Sequence, residues 1–364
     1  MDSILFTKES LYNFICSEQY ARLINVPISK HRAISQINNP RADKDDILLI
    51  AQFDENKTIG YLGILPDYIF IGNNKEKIGW LSCFWVDEEY RSQNIAAILF
   101  LKAMKAYNEK IFITNIVPWL EPIYQKTKLF FPTKYQSGFR GYLRFNLSGI
   151  LPSKNKLFQK FGSLFKLSDC LFNSVADLRF TFNKKRHLPG INYDYLTSLN
   201  EIPDEFIEKY ITDNWTRRSK TELNWIVKNP WLIEGIEKDI QSSKYYFSYI
   251  SSQFFTQIIR FSNNANKPIG ILIINVRNRN LTMPYLFCDK ENLGIVAKFI
   301  IYTMVSLKLN MVTLFHEDIA SYFFQIKTPF IFRKKIKKSF FISKKFEAID
   351  KLNFQDGDGD CAFY

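Results

Sequence analysis

The stretch richest in chemistry is Val86 to Phe100, V-D-E-E-Y-R-S-Q-N-I-A-A-I-L-F. A strand-like apolar run ends at Val86, a short polar turn follows, and apolar residues then recur at helical spacing from Ile95. A turn of small residues leaves several peptide N–H groups facing outward. The helix that opens after it adds unpaired donors and a partial positive charge. Such a turn can cradle a pyrophosphate, although an ordinary strand-to-helix connection shows the same pattern.

Other chemistries find little support. The three histidines (His31, His187, His316) lie far apart, and the five cysteines (Cys16, Cys83, Cys170, Cys288, Cys361) form no C-x-x-C pair, so no metal site is expected. Cys83 has no His or Asp in a recognisable partnership and reads as a small core residue. The tail D-G-D-G-D, Asp356 to Asp360, lacks the later Glu of a calcium loop and is expected to dock near a substrate, with Asp recognising an amine or hydroxyls.

Lysine and arginine number 49 against 36 acidic residues, a formal +13 that favours anionic partners. Much of the excess sits in Arg333–Lys338 and between Lys154 and Arg186, both expected to be solvated faces. No nucleic-acid-binding signature accompanies it. The N-terminus shows no secretory pattern and no clean apolar run reaches about 20 residues, so a cytoplasmic protein is expected.

The elements that must position the turn follow from periodicity. Helices are expected between Ser10 and Asn38, strands over 47–53, 58–71 and 79–86, a helix over 94–108, a strand over 111–117, a short helix near 120–129 and a hairpin-like segment over 139–147. The second half repeats this order. Ile59-Gly60-Tyr61-Leu62 has a counterpart in Ile269-Gly270-Ile271-Leu272, and Trp80–Asp87 in Met283–Asp289. The fold class expected is α/β, with two related domains, 1–150 and 196–364, joined by a basic amphipathic linker over 151–195. That linker's apolar face is expected to pack between the domains rather than on an anionic bilayer.

The turn resembles the acetyl-coenzyme A loop of the GNAT superfamily of N-acyltransferases, Q/R-x-x-G-x-G/A. Arg91, Ser92, Gln93, Asn94, Ile95 and Ala96 occupy its slots, with Asn94, which tolerates a left-handed backbone, replacing the first Gly. V-D-E-E-Y-R is similar to that family's approach, with Glu88 in place of Pro. The resemblance covers about residues 5 to 147 and implies two tandem GNAT-like domains, each a mixed sheet flanked by helices. It implies acetyl-CoA as co-substrate without a metal, its pantetheine along Phe84 to Val86 and its pyrophosphate on the N–H groups of Ser92 to Ala97. It also implies that Tyr124 protonates the leaving thiolate and that Asn115 lies upstream of it at the coenzyme.

The second copy lacks the Arg-x-x-small-x-small turn at Cys288–Gly294 and is expected to bind no coenzyme. The resemblance then implies an N-acetyltransferase with a small-molecule amine acceptor. First in order is an amino sugar linked to nucleotide or lipid, since the chain is also similar to GNAT-type proteins of bacterial polysaccharide synthesis. A peptide or amino acid comes second. Trp215, Arg217, Arg218, Trp225 and Trp231 form a cluster suited to a sugar or anion, or to the core. No general base is evident: Asp87, Glu88 and Glu89 lie at the coenzyme mouth and read as solvated or capping residues, with Glu121 and Asp67 as alternatives. The alternative is a non-catalytic GNAT-fold scaffold for an anionic ligand or surface.

Overall fold

The structure is a computed structural model that describes residues 2–72, 74–117, 120–152, 155–181, 192–235, 244–326, 329–346 and 353–363. The chain opens with β1 (Ser3–Phe6) and three helices, α1 (Lys8–Cys16), α2 (Glu18–Arg22) and α3 (Lys30–Ile37). Hydroxyls start all three: Thr7, Ser17 and Ser29 accept from the N–H groups of Ser10, Tyr20 and Arg32. Strands β2 (Leu49–Asp54), β3 (Lys57–Ile71) and β4 (Asn74–Val86) follow, then α4 (Ile95–Ala106), β5 (Ile111–Thr114), α5 (Glu121–Lys126) and β6 (Lys134–Tyr142).

Next come α6 (Leu147–Ile150), α7 (Lys156–Gln159), α8 (Gly162–Thr181), β7 (Asn192–Leu196), α9 (Asp204–Ile211) and α10 (Lys220–Lys228). The short strands β8 (Ile233–Glu234) and β9 (Ile250–Ser251) pair with each other. The chain continues through β10 (Phe254–Ser262), β11 (Pro268–Arg277), β12 (Asn280–Cys288), α11 (Leu293–Ser306), β13 (Met311–Leu314), α12 (Glu317–Gln325) and β14 (Phe332–Ile342).

These elements form two compact units. The first comprises Met1–Gln136, Leu196–Gln257 and Lys337–Tyr364, the second Ser137–Tyr195 and Ile258–Ile336. The first unit's sheet runs β1-β2-β3-β4-β5-β14 and the second's β6-β13-β12-β11-β10-β7. Each is mixed: the parallel pairs β4 with β5 and β12 with β13 lie beside antiparallel neighbours. The α/β class and mixed sheets flanked by helices agree with the sequence.

The contiguous division at 150 and 195 does not coincide with these units. Phe340, Phe341 and Ile342 pair beside β5, while Phe139 to Tyr142 pair with β13 instead of folding into a local hairpin. Each half of the chain thus supplies the last strand of the other unit's sheet. Helices α9 and α10 also belong to the first unit.

The first unit's sheet is covered on both faces. Ile64, Leu81 and Ile113 pack with Leu99 and Met104 of α4. Tyr61 and Leu49 pack with Leu11, Ile15 and Leu23 on the other side. Gly60 permits the close approach of α4, since a Cβ there would lie 2.6 Å from Ile95 Cγ2.

Candidate active site

A parallel strand pair stays closed only while both chains keep direction. β4 and β5 pair at Gly79–Ile111, Trp80–Phe112 and Leu81–Ile113, and their ladder ends there. Beyond Thr114 the chain turns at Asn115, in a left-handed conformation (φ 53°), and the Asn115 N–H donates to Ser339 O at 2.9 Å. β5 is therefore drawn toward β14, while β4 runs on to Val86 against β3. The β3–β4 register slips between Tyr61–Trp85 and Gly63–Ser82, so Cys83 and Phe84 together oppose Leu62. Cys83 takes φ 51° in this bulge, a conformation a non-glycine residue adopts at a cost of about 1–3 kcal/mol. The result is a wedge, open from Ser82 to Val86, with a bulge that re-aims the β4 backbone along it.

The wedge leads to the turn singled out in the sequence. A short helical turn, Glu88–Gln93, starts at Asp87, whose carboxylate accepts from the Glu89 N–H. Asn94 then adopts the left-handed conformation (φ 59°, ψ 16°) that its place in the glycine slot requires, and its side chain caps nothing. The N–H groups of Ile95 to Ala97 open α4 and, as in any first helical turn, have no partner within the helix. Ser92, Gln93, Asn94, Ala96 and Ala97 are exposed. The Ile95 side chain is buried in the core, so only its backbone can face a ligand. Phe84 and Val86 line the α4 face half-buried. Arg91 is exposed and pairs with Glu88 at 3.1 Å, and Asn115 is exposed at the mouth of the wedge.

Tyr124 lies on the α4 side of the sheet, its ring packed at 5.7–6.1 Å from those of Phe100, Phe130 and Phe341. Burial pushes its hydroxyl up to about 12, which keeps it protonated and able to donate near neutral pH.

On the opposite face the wedge meets groups from distant parts of the chain. The buried Arg32 of α3 donates to the Tyr245 hydroxyl at 2.8 Å and to Ser82 Oγ at 2.6 Å, and stacks 4.0 Å over the Trp231 ring. Arg32 and Tyr245 both engage the Cys83 thiol, which burial pushes up, so Cys83 is not a thiolate nucleophile. The tail D-G-D-G-D docks here. Gly359 takes φ 76°, and a Cβ on it would stand 3.2 Å from the Trp80 ring of β4. The next residue, Asp360, is partly exposed and accepts from the Thr114 hydroxyl at the end of β5, at 3.4 Å. Burial raises its pKa, while the charges of Arg32 and Lys338 and the Thr114 hydroxyl pull it back.

The other carboxylates in this region are engaged. Asp87 and Glu89 bind Lys57 at 3.1 and 2.6 Å, and Glu121 accepts from Tyr135 at 2.6 Å. Asp67 is fully buried and receives Arg41, Arg218 (both 2.7 Å) and the Trp80 indole (3.0 Å). Arg218 also reaches Asp358 at 3.1 Å. Trp225 and Trp231 are buried as well, so most of the Trp–Arg cluster expected before the second sheet is core. The sequence drew attention to the Asp-Gly tail without identifying which aspartate faces the wedge. Its flanking glycines were the available signal.

In the second unit β12 also carries a register slip, between Ile273–Tyr285 and Asn275–Thr282. There the turn after the strand is shorter and Asn292, before α11, is right-handed (φ −92°), so the cradle is not repeated. Among the described residues, no group of three or more His, Cys, Asp or Glu could hold a metal ion, and no helix is long and apolar enough to cross a membrane.

A bulged strand splayed from its parallel neighbour and running into an uncapped helix defines the fold of the first unit. Residues 10–122 match the model of the acetyltransferase (GNAT) family. Among solved structures, a conserved protein of unknown function from Enterococcus faecalis, described as a probable N-acyltransferase, shares the fold. Its TM-score is 0.52 at 10% identity, over 94% of this chain and 72% of that one. A GCN5-related N-acetyltransferase from Anabaena variabilis superposes at 0.46 (11% identity, 93% and 72% covered). Saccharomyces cerevisiae N-myristoyltransferase with bound myristoyl-CoA superposes at 0.49 (10% identity, 94% and 82% covered). No curated protein matches the sequence.

Proposed function

We propose that the protein is an acyl-CoA-dependent N-acyltransferase, with acetyl-CoA as donor and a primary amine as acceptor. The observation that carries this reading is the wedge between β4 and β5, which runs without interruption into the uncapped N-terminus of α4. The N–H groups from Ser92 to Ala97 would hold the pyrophosphate, and Phe84 to Val86 the pantetheine. The bulged backbone there would donate to the thioester carbonyl as charge develops on its oxygen.

The two faces of the sheet divide the proton work. Asp360 takes the proton of the entering ammonium, whose nitrogen then attacks the carbonyl carbon. As the C–N bond forms and the C–S bond breaks, Tyr124 supplies a proton to the sulfur, and the second proton given up by the nitrogen as it becomes an amide restores the Tyr124 hydroxyl. Asp360 suits a base because burial lifts it above an ordinary carboxylate while Arg32 and Lys338 keep it ionisable. An amino sugar is the first acceptor to try.

Calorimetric titration with acetyl-CoA tests the reading, followed by mass analysis of products over a panel of amino sugars, amino acids and peptides. Saturable binding and an acetylated amine are the expected results. Absence of binding leaves a GNAT-fold scaffold instead.

A further inference from the structure

An amphipathic helix on a protein surface ordinarily turns its apolar side inward. Helix α8 does the reverse. Asp169, Asn173 and Asp177, four residues apart and so on one face, point into the second unit and bind the segment 144–148. The Asp169 carboxylate accepts from the N–H groups of Leu147 and Ser148 at 2.7 and 2.8 Å. The Asn173 amide bridges the N–H and C=O of Phe145 at 2.7 and 2.9 Å, and Asp177 receives Arg144 at 2.5 and 2.6 Å. The opposite face presents Leu164, Leu167, Leu171, Val175 and Leu178, each 56–67% exposed, with Phe161 just ahead of the helix. The face expected from the sequence to be core thus points to solvent.

We infer that this outward face of α8 is an in-plane docking surface for an anionic lipid bilayer. Its charge argues for that occupant. Between residues 154 and 186 the sequence has eight Lys or Arg and two acidic residues, Asp169 and Asp177. Both acids are used on the inward face; the exposed Lys160 stands at the start of the apolar stripe, whereas the exposed Lys166, three residues before Asp169, lies toward the inward face. An apolar stripe in so basic a segment, with Lys160 at its start, fits the boundary between acyl chains and anionic headgroups. A second copy of the helix fits poorly: the stripe covers only about two heptads, and two such basic segments would repel.

The test is flotation of the full chain with vesicles of phosphatidylcholine, alone or mixed with phosphatidylglycerol. Binding is expected to the mixed vesicles and to weaken as salt is raised. Leu171→Glu combined with Val175→Glu should lower partitioning more than tenfold with an unchanged thermal melt, because both side chains are already exposed. Lys160→Glu should weaken binding to the anionic vesicles by about fivefold or more. Failure to float at low salt, equal binding to neutral vesicles, or undiminished binding of the double variant would overturn the inference. So would sedimentation showing a dimer that the double variant abolishes while vesicle binding is absent.

Discussion

Asp360→Asn is the most informative single perturbation. The amide is isosteric with the carboxylate, and its oxygen can still accept from the Thr114 hydroxyl, 3.4 Å away in the native protein. What is lost is the ability to take a proton from the incoming amine. Removing a positioned general base costs about 10²- to 10⁴-fold in turnover, or about 3–5 kcal/mol of barrier. Stability should respond in the opposite sense. Burial raises the Asp360 pKa, against the partial compensation of Arg32 and Lys338, so the folded state holds the proton more tightly than the unfolded one. Ionisation of this group therefore opposes folding. Stability falls as pH rises from the ordinary carboxylate value to the raised folded value, and is level above it. The Asn variant lacks that decline and should be at least as stable at neutral pH. Thiol release from acetyl-CoA measured across pH, alongside urea unfolding, reads both effects. The wild type should lose turnover as acid protonates Asp360, and the variant should show no such limb. Unchanged turnover, or turnover lost together with acetyl-CoA affinity, would refute the role of base.

Tyr124→Phe should lower turnover and leave acetyl-CoA affinity nearly intact, measured by single-turnover kinetics beside calorimetry. Ala96→Glu places a carboxylate beside the α4 N-terminus at an exposed site, so acetyl-CoA binding should disappear in titration calorimetry while the circular dichroism melt stays put. Asp67→Asn strips a buried counter-charge from Arg41 and Arg218 and should cost about 3–5 kcal/mol in urea unfolding. Burial pushes Asp67 up, but Arg218 and Arg41 outweigh it and hold the carboxyl below its usual range. Its stabilisation is thus full above the ordinary carboxylate value and fades as pH falls through the lower folded one. The wild type should lose more stability than the variant on acidification.

The local parts of the site were legible because they depend on neighbours in sequence. Apolar periodicity located β4 and α4, and Asn94 stood in a slot that demands a left-handed backbone, which it adopts. The bulge at Cys83 has no comparable mark: nothing in G-W-L-S-C-F-W-V distinguishes the residue that leaves the ladder. Asp360 reaches Thr114 across 246 positions, a contact no spacing rule can see. For α8 the periodicity was plain but its polarity was not. Which face turns inward was decided by Arg144 and the backbone of Phe145, Leu147 and Ser148, partners outside the helix.

The exchange of closing strands makes this chain a poor candidate for dissection into halves. A fragment ending near residue 150 would leave β5 without Phe340 to Ile342, exposing an unpaired strand edge of the kind that recruits other chains. During synthesis the first sheet gains its last strand only after residue 342 has left the ribosome, more than two hundred residues after β5 itself. Closure over so long a loop is slow, and an incomplete edge waits through it. Recombinant yield should therefore depend on chaperone supply, and ribosome-bound chains stalled before β14 should remain sensitive to protease.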